Sequence, residues 1–183
     1  MQEFSILKGC RVKIKPPRAP IIKEVFWSPP LHSWIKVNID GAAISGKASV
    51  GGLFRNAEGN CLGCFAQLLG PVSALHAELT AAMTAIEIAA EKGCQNLWLE
   101  TDSKLVSLAF HTISIVPWML RTRWLNCLGI IRNMNFLVTH IFREGNSCAN
   151  GLANIGLSLS TFDLFWFPSI PVSLSKEYIR NRL

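Results

Sequence analysis

The chain has 183 residues, half of them hydrophobic and only 16% charged, with a net charge of +6. That length suits one domain with an extension, and that apolar content supports a packed core and excludes disorder. No run of about 18 apolar residues free of charge and proline occurs, so no transmembrane segment is expected.

Met1 to Lys15 mixes acidic, basic and apolar residues without a continuous hydrophobic stretch, so no signal peptide is expected. The expected setting is intracellular, nucleus or cytoplasm, where the six cysteines stay reduced. Charge is concentrated at the start: Lys8, Arg11, Lys13, Lys15, Arg18 and Lys23 face only Glu3 and Glu24. Such a segment suits a polyanion such as nucleic acid, or is simply a solvated basic tail. Pro16, Pro17, Pro20, Pro29 and Pro30 make it an extended linker. The chain therefore divides into a basic, Pro-rich extension (1–32), a folded domain (33–160) and a C-terminal tail (161–183).

The first core element is Trp34 to Asp40, a β-prone run ending in a carboxylate before Gly41. An acid in a strand is costly unless paired or bound to a metal, although Asp-Gly alone also reads as the start of a turn. Ala48–Arg55 and Asn60–Leu68 flank Asn56-Ala57-Glu58-Gly59, a hairpin connection. Three sequential antiparallel strands follow from this. Cys61 and Cys64 are three apart in the third strand, which sends them to opposite faces, so they read as packing residues and not as zinc ligands.

Ser73 or Ala74 to Lys92 has the composition of a helix stopped by Gly93, with Leu79, Met83, Ile86 and Ala90 on its apolar face. Glu78 lies one turn in. A short buried strand, Asn96 to Thr101, ends at Asp102, which is placed to cap a helix from Ser103 to Phe110. Further elements are a helix over Pro117–Arg132 with Leu120, Trp124, Leu128 and Ile131 inward, a strand Phe136–Phe142, and a last helix from Ser147 to about Leu159 capped by Asn146. His140 reads as an ordinary strand histidine. Phe162, Phe165, Trp166 and Phe167 should pack the tail back onto the domain. Strand-end carboxylates Asp40 and Asp102, with Glu78, can converge, and converged carboxylates call for a hard cation such as magnesium or manganese.

Four stretches then carry a resemblance. Val37-Asn-Ile-Asp-Gly-Ala, His76-Ala-Glu-Leu-Thr-Ala-Ala, Leu99-Glu-Thr-Asp-Ser and Arg143-Glu-Gly-Asn-Ser-Cys-Ala-Asn-Gly-Leu-Ala resemble, in order, the signatures of the ribonuclease H type 1 domain. The likeness covers about residues 26 to 170 and is closest to the plant branch found in retroelement-derived, reverse-transcriptase-associated proteins. Their lead-in is similar to Phe26-Trp-Ser-Pro-Pro followed by Trp34-Ile-Lys-Val-Asn.

The resemblance implies a five-stranded mixed sheet with three antiparallel strands first, flanked by helices, and hydrolysis of the RNA strand of RNA-DNA hybrids with two magnesium ions, for which manganese can substitute. Asp40 would bridge both ions, and Glu78 and Asp102 would complete the ion near the leaving group. The fourth family carboxylate falls on Asn150, which would grip the nucleophile-side ion less well and weaken catalysis. The alternative is a retroelement-derived nucleic-acid-binding module that has lost useful catalysis. No histidine stands in the short segment Arg143–Ser147 and no basic handle is evident, so substrate grip is assigned to the N-terminal extension together with Arg55, Lys104, Arg121, Arg123, Arg143 and Asn146. A monomer, or part of a larger retroelement protein, is expected.

Overall fold

The computed structural model describes Val25 and residues 27–182, leaving aside the Arg182 side chain; the basic extension expected at 1–32 lies mostly outside the described residues. Six strands form one mixed sheet in the order β5-β4-β1-β2-β3-β6. β1 (Ile35–Ile44), β2 (Lys47–Arg55) and β3 (Cys61–Gly70) run antiparallel, as expected. β4 (Asn96–Thr101) lies parallel to β1, and β5 (Asn135–His140) parallel to β4. The expected count of five strands is corrected by β6 (Leu164–Phe167), which pairs antiparallel with β3. Its Trp166 packs on Phe54, with ring centroids 5.9 Å apart. Four residues of a Pro-flanked aromatic tail carry no period long enough to announce a strand; the open edge of β3 recruits them.

The period-2 pattern of β1 explains the layering. Val37 and Ile39 enter the larger core with Leu97 and Leu99 of β4. Over that core lie α1 (Ala74–Glu91), α2 (Lys104–Ala109) and α3 (Arg121–Ile131). From α1, Leu79, Met83 and Ile86 are fully buried, and α3 contributes Trp124. Ser73 caps α1 by accepting from the His76 amide, a role suited to its short hydroxyl side chain. Lys36, Asn38 and Asp40 point to the opposite layer. There α4 (Ser147–Leu157) covers β1–β3 and builds a smaller core of Leu53, Cys64, Cys148 and Leu152 with Leu174 and Tyr178, the last from α5 (Ser175–Arg182). Gly151 and Gly156, poor helix formers, sit inside α4 where a Cβ would strike Leu174 and Ser49.

One expectation about β3 fails. Phe54 pairs with Gly63 but Arg55 with Cys61, so Leu62 is an extra residue in a bulge. The bulge shifts the alternation by one, and Cys61 and Cys64 meet side by side in a thiol hydrogen bond instead of facing apart. That bond pulls the Cys61 thiol down to about 7, while the same bond and burial push Cys64 up.

Candidate active site

Asp40 and Asp102 come together through the parallel ladder. Ile39 pairs with Thr101 at its last rung, and each carboxylate follows one residue later. This is the carboxyl end of two parallel strands, where sites of open α/β sheets form. Glu78 arrives from α1, because Gly41 has no side chain: a Cβ there would collide with the backbone of Ala77 and Glu78. Gly41 is therefore a contact requirement, whatever turn propensity it also has.

One oxygen from each of Asp40, Glu78 and Asp102 lies within 4.8 Å of the others. Asp40 is buried, and its Oδ1 has no hydrogen-bond partner; the same is true of Glu78 Oε2. Burial, then the neighbouring Asp102, pushes the Asp40 carboxyl up to about 6. Burial, then Asp40 and Asp102, pushes Glu78 up to about 9. Orphaned buried oxygens on mutually repelling acids are the signature of a missing positive charge, so this donor set fits a hard divalent cation. It is the one such cluster of His, Cys, Asp or Glu among the described residues.

Asn150, in the first turn of α4, donates from Nδ2 to Asp40 Oδ2 at 2.9 Å. All four residues read from the sequence thus converge. Asp102 is not a helix cap: α2 begins after Ser103, and Asp102 instead accepts from Arg143 Nε at 3.4 Å and Asn146 Nδ2 at 3.3 Å.

The nucleic-acid candidates divide. Lys104, Arg121 and Arg143 are exposed, and Arg143 stands beside Asp102. Arg123 is committed to Glu87 in a bidentate pair and to Thr84. Arg55 must be reassigned: it is fully buried, donating to Asn38 and Asn181, with its guanidinium 3.5 Å from the Trp27 ring centre, so it has no path to a phosphate. Asn146 is likewise buried and caps nothing; it donates to the Ile39 carbonyl at 2.8 Å and to Asp102, tying β1 to β4 behind the carboxylates. His140 donates from Nε2 to the Asp102 carbonyl at 3.1 Å.

Sequence reasoning missed the polar network beneath the site. Trp27 Nε1 and Arg55 both donate to Asn38 Oδ1, and Asn38 Nδ2 donates to Glu100 and Asn146. Glu100 also pairs with buried Lys36 at 2.9 Å. The available signal was strand spacing: Lys36, Asn38 and Asp40 share one face at intervals of two. Asn154 was also missed, although it stands four residues from Asn150 on the same helix face.

The chain matches the family model described as reverse transcriptase-like over residues 38–156. It is 33% identical over 178 residues to an Arabidopsis thaliana protein designated a ribonuclease H protein, covering 91% of this chain but 27% of that relative. Among solved structures, RNase H1 from the halophilic archaeon Halobacterium salinarum NRC-1 is 25% identical, with a TM-score of 0.62 over 68% of this chain and 98% of its own. LC11-RNase H1, solved in complex with an RNA/DNA hybrid, has a TM-score of 0.61 at 22% identity, over 68% of this chain and 96% of its own. The prototype foamy virus protease-reverse transcriptase shares the fold at 21% identity and a TM-score of 0.59, over 78% of this chain and 24% of its own. The fold is that of a ribonuclease H type 1 domain. The chain belongs to the reverse transcriptase-like family and spans about a quarter of the curated relative's length.

Proposed function

We propose that this domain binds RNA-DNA hybrids and hydrolyses their RNA strand with divalent-cation assistance, at an efficiency lowered by Asn150. The observation that carries the reading is the convergence of Asp40, Glu78 and Asp102, with unpartnered, desolvated oxygens on Asp40 and Glu78. Membership of the family and the likeness to a hybrid-bound relative support the substrate class.

Asp40, Glu78 and Asp102 would hold the cation, with magnesium or manganese as the ions that suit carboxylate oxygen. Bound metal activates water and stabilises the leaving oxygen in phosphodiester cleavage. The second ion of the two-ion mechanism would be shared between Asp40 and Asn150, and a neutral amide holds it less firmly than a carboxylate. Arg143, exposed at the rim, together with Lys104 and Arg121, would meet backbone phosphates. Asn146 keeps Asp102 oriented toward the cluster. We place the domain, as a monomer, within a larger retroelement-derived protein.

The Nδ2 of Asn150 on Asp40 also favours a second reading, a hybrid-binding module on a dormant scaffold. A labelled RNA-DNA hybrid, assayed in magnesium and in manganese, separates the two. The enzyme reading expects cutting by the native chain, loss of cutting in Asp40→Asn and a gain in Asn150→Asp. Binding without cutting, restored by Asn150→Asp, establishes the dormant module. An inert Asn150→Asp protein overturns the site.

A further inference from the structure

The orientation of the Asn150 amide is settled by its neighbour. Asn154 Nδ2 lies 3.0 Å from the Asn150 backbone carbonyl. A carbonyl oxygen only accepts, so the group facing it must be the amide nitrogen of Asn154. That same nitrogen lies 3.0 Å from the Asn150 side-chain oxygen, which therefore also accepts. The remaining end of Asn150 is its NH2 group, and it is the end that meets Asp40 Oδ2 at 2.9 Å. Donor and acceptor identities along the chain Asn154, Asn150, Asp40 thus follow from one backbone carbonyl.

This arrangement has a consequence for metal stoichiometry. A cation beside Asp40 Oδ2 needs lone pairs from Asp40 and from residue 150. Here an N–H takes one lone pair of Asp40 Oδ2, the oxygen of Asn150 is turned away toward Asn154, and the group that residue 150 presents beside Oδ2 is a donor, which repels a cation. The other oxygen of Asp40, Oδ1, is free and lies in the carboxylate cluster with Glu78 and Asp102. Asp40 therefore has one unpartnered oxygen among the acids and one beside which residue 150 supplies a donor in place of a ligand oxygen.

We propose that the protein free of nucleic acid takes up a single divalent cation, at Asp40, Glu78 and Asp102, because Asn154 locks Asn150 with its amide nitrogen on Asp40. The inference rests on the proposed function and names Asn154 as the positioning residue that decides how many ions the site accepts. Asn154 is exposed, so its removal leaves the core untouched.

The test counts bound Mn2+ by titration, following the electron paramagnetic resonance signal of the free ion, on the intact protein without hybrid. The native chain should bind one Mn2+, Asn150→Asp two, and Asn154→Ala a second, weaker equivalent as Asn150 turns its oxygen inward. Asp40→Asn should bind none. Two equivalents on the native chain overturn the inference and leave the metal-dependent function standing. A count of one for Asn154→Ala also overturns it, since Asn154 would not then hold the orientation. No binding by the native chain or Asn150→Asp overturns the function and the inference together.

Discussion

One face of β1 carries two kinds of buried polar group within five residues. Lys36 and Asn38 lie in a closed network: Lys36 pairs with Glu100, places its ammonium over the rings of Trp27 and Trp98 at 5.2 and 3.8 Å, and donates to the Ser28 carbonyl, while Asn38 is satisfied by Trp27, Arg55, Glu100 and Asn146. Asp40, two residues on, shares the burial but keeps an oxygen without a partner beside two further acids. A satisfied network specifies structure, whereas an orphaned one stores unfavourable electrostatics that a ligand can relieve. The comparison teaches that polarity and burial do not by themselves mark a functional residue; unpartnered oxygens on acids that converge and repel one another do.

The largest effect should come from breaking the closed network. Lys36→Met leaves the Glu100 carboxylate buried without its counter-charge and should cost about 3 kcal/mol, read by urea unfolding. Asp40→Asn, the corresponding change in the open cluster, should instead raise the melting temperature of the metal-free protein at neutral pH. If both variants shift stability the same way, the distinction between closed and open networks is lost.

pH sharpens the same contrast. Asp40 rises from 3.8 to about 6 and Glu78 from 4.5 to about 9 on folding, so the folded state holds more protons than the unfolded state between those values. Stability contributed by these two groups is fully present below the unfolded values, 3.8 and 4.5, and is lost as pH rises through about 6 and then about 9. Magnesium binds the charged forms, so it should raise the melting temperature more at pH 8 than at pH 5. An equal rise at both values, in thermal scans on the same protein, would contradict the assignment.

The smallest effect belongs to the rim. Arg143 is 78% exposed and its contact to Asp102 is long, so Arg143→Ala should leave stability within about 0.5 kcal/mol. If it meets a phosphate, hybrid affinity should fall modestly and the slope of log affinity against log salt should drop by about one. Fluorescence anisotropy over a salt series reads both.

Much of the fold was legible in the sequence because local rules and tertiary context agree. The three antiparallel strands, α1 with inward Leu79, Met83 and Ile86, and the existence of β4 and β5 as strands all follow from periodicity and punctuation. The candidate site was legible for a different reason. Asp40, Glu78, Asp102 and Asn150 stand in four ordered motifs, although each residue alone is explained equally well as a turn, a helix surface or a cap. Arg55 and Asn146 were misread because charge and capping propensity say where a residue type prefers to be, and here burial and cross-strand partners prevailed. The Cys61–Cys64 geometry was misread because a single bulge, invisible in the alternation, reverses which face every later residue takes.

The amino-acid sequence by itself determined the order of elements, the apolar faces that pair them and the identity of the acids that meet. The tertiary structure alone decided which polar groups are satisfied. Partner choice among Asn38, Glu100, Asn146 and Lys36 joins residues 62 and 108 positions apart, and the turn of the Asn150 amide depends on a carbonyl of its own helix and a carboxylate on a distant strand. Such choices are set by distances between donors and acceptors that exist only once the sheet and α4 have packed, which is why charge and spacing identify the site but not its state.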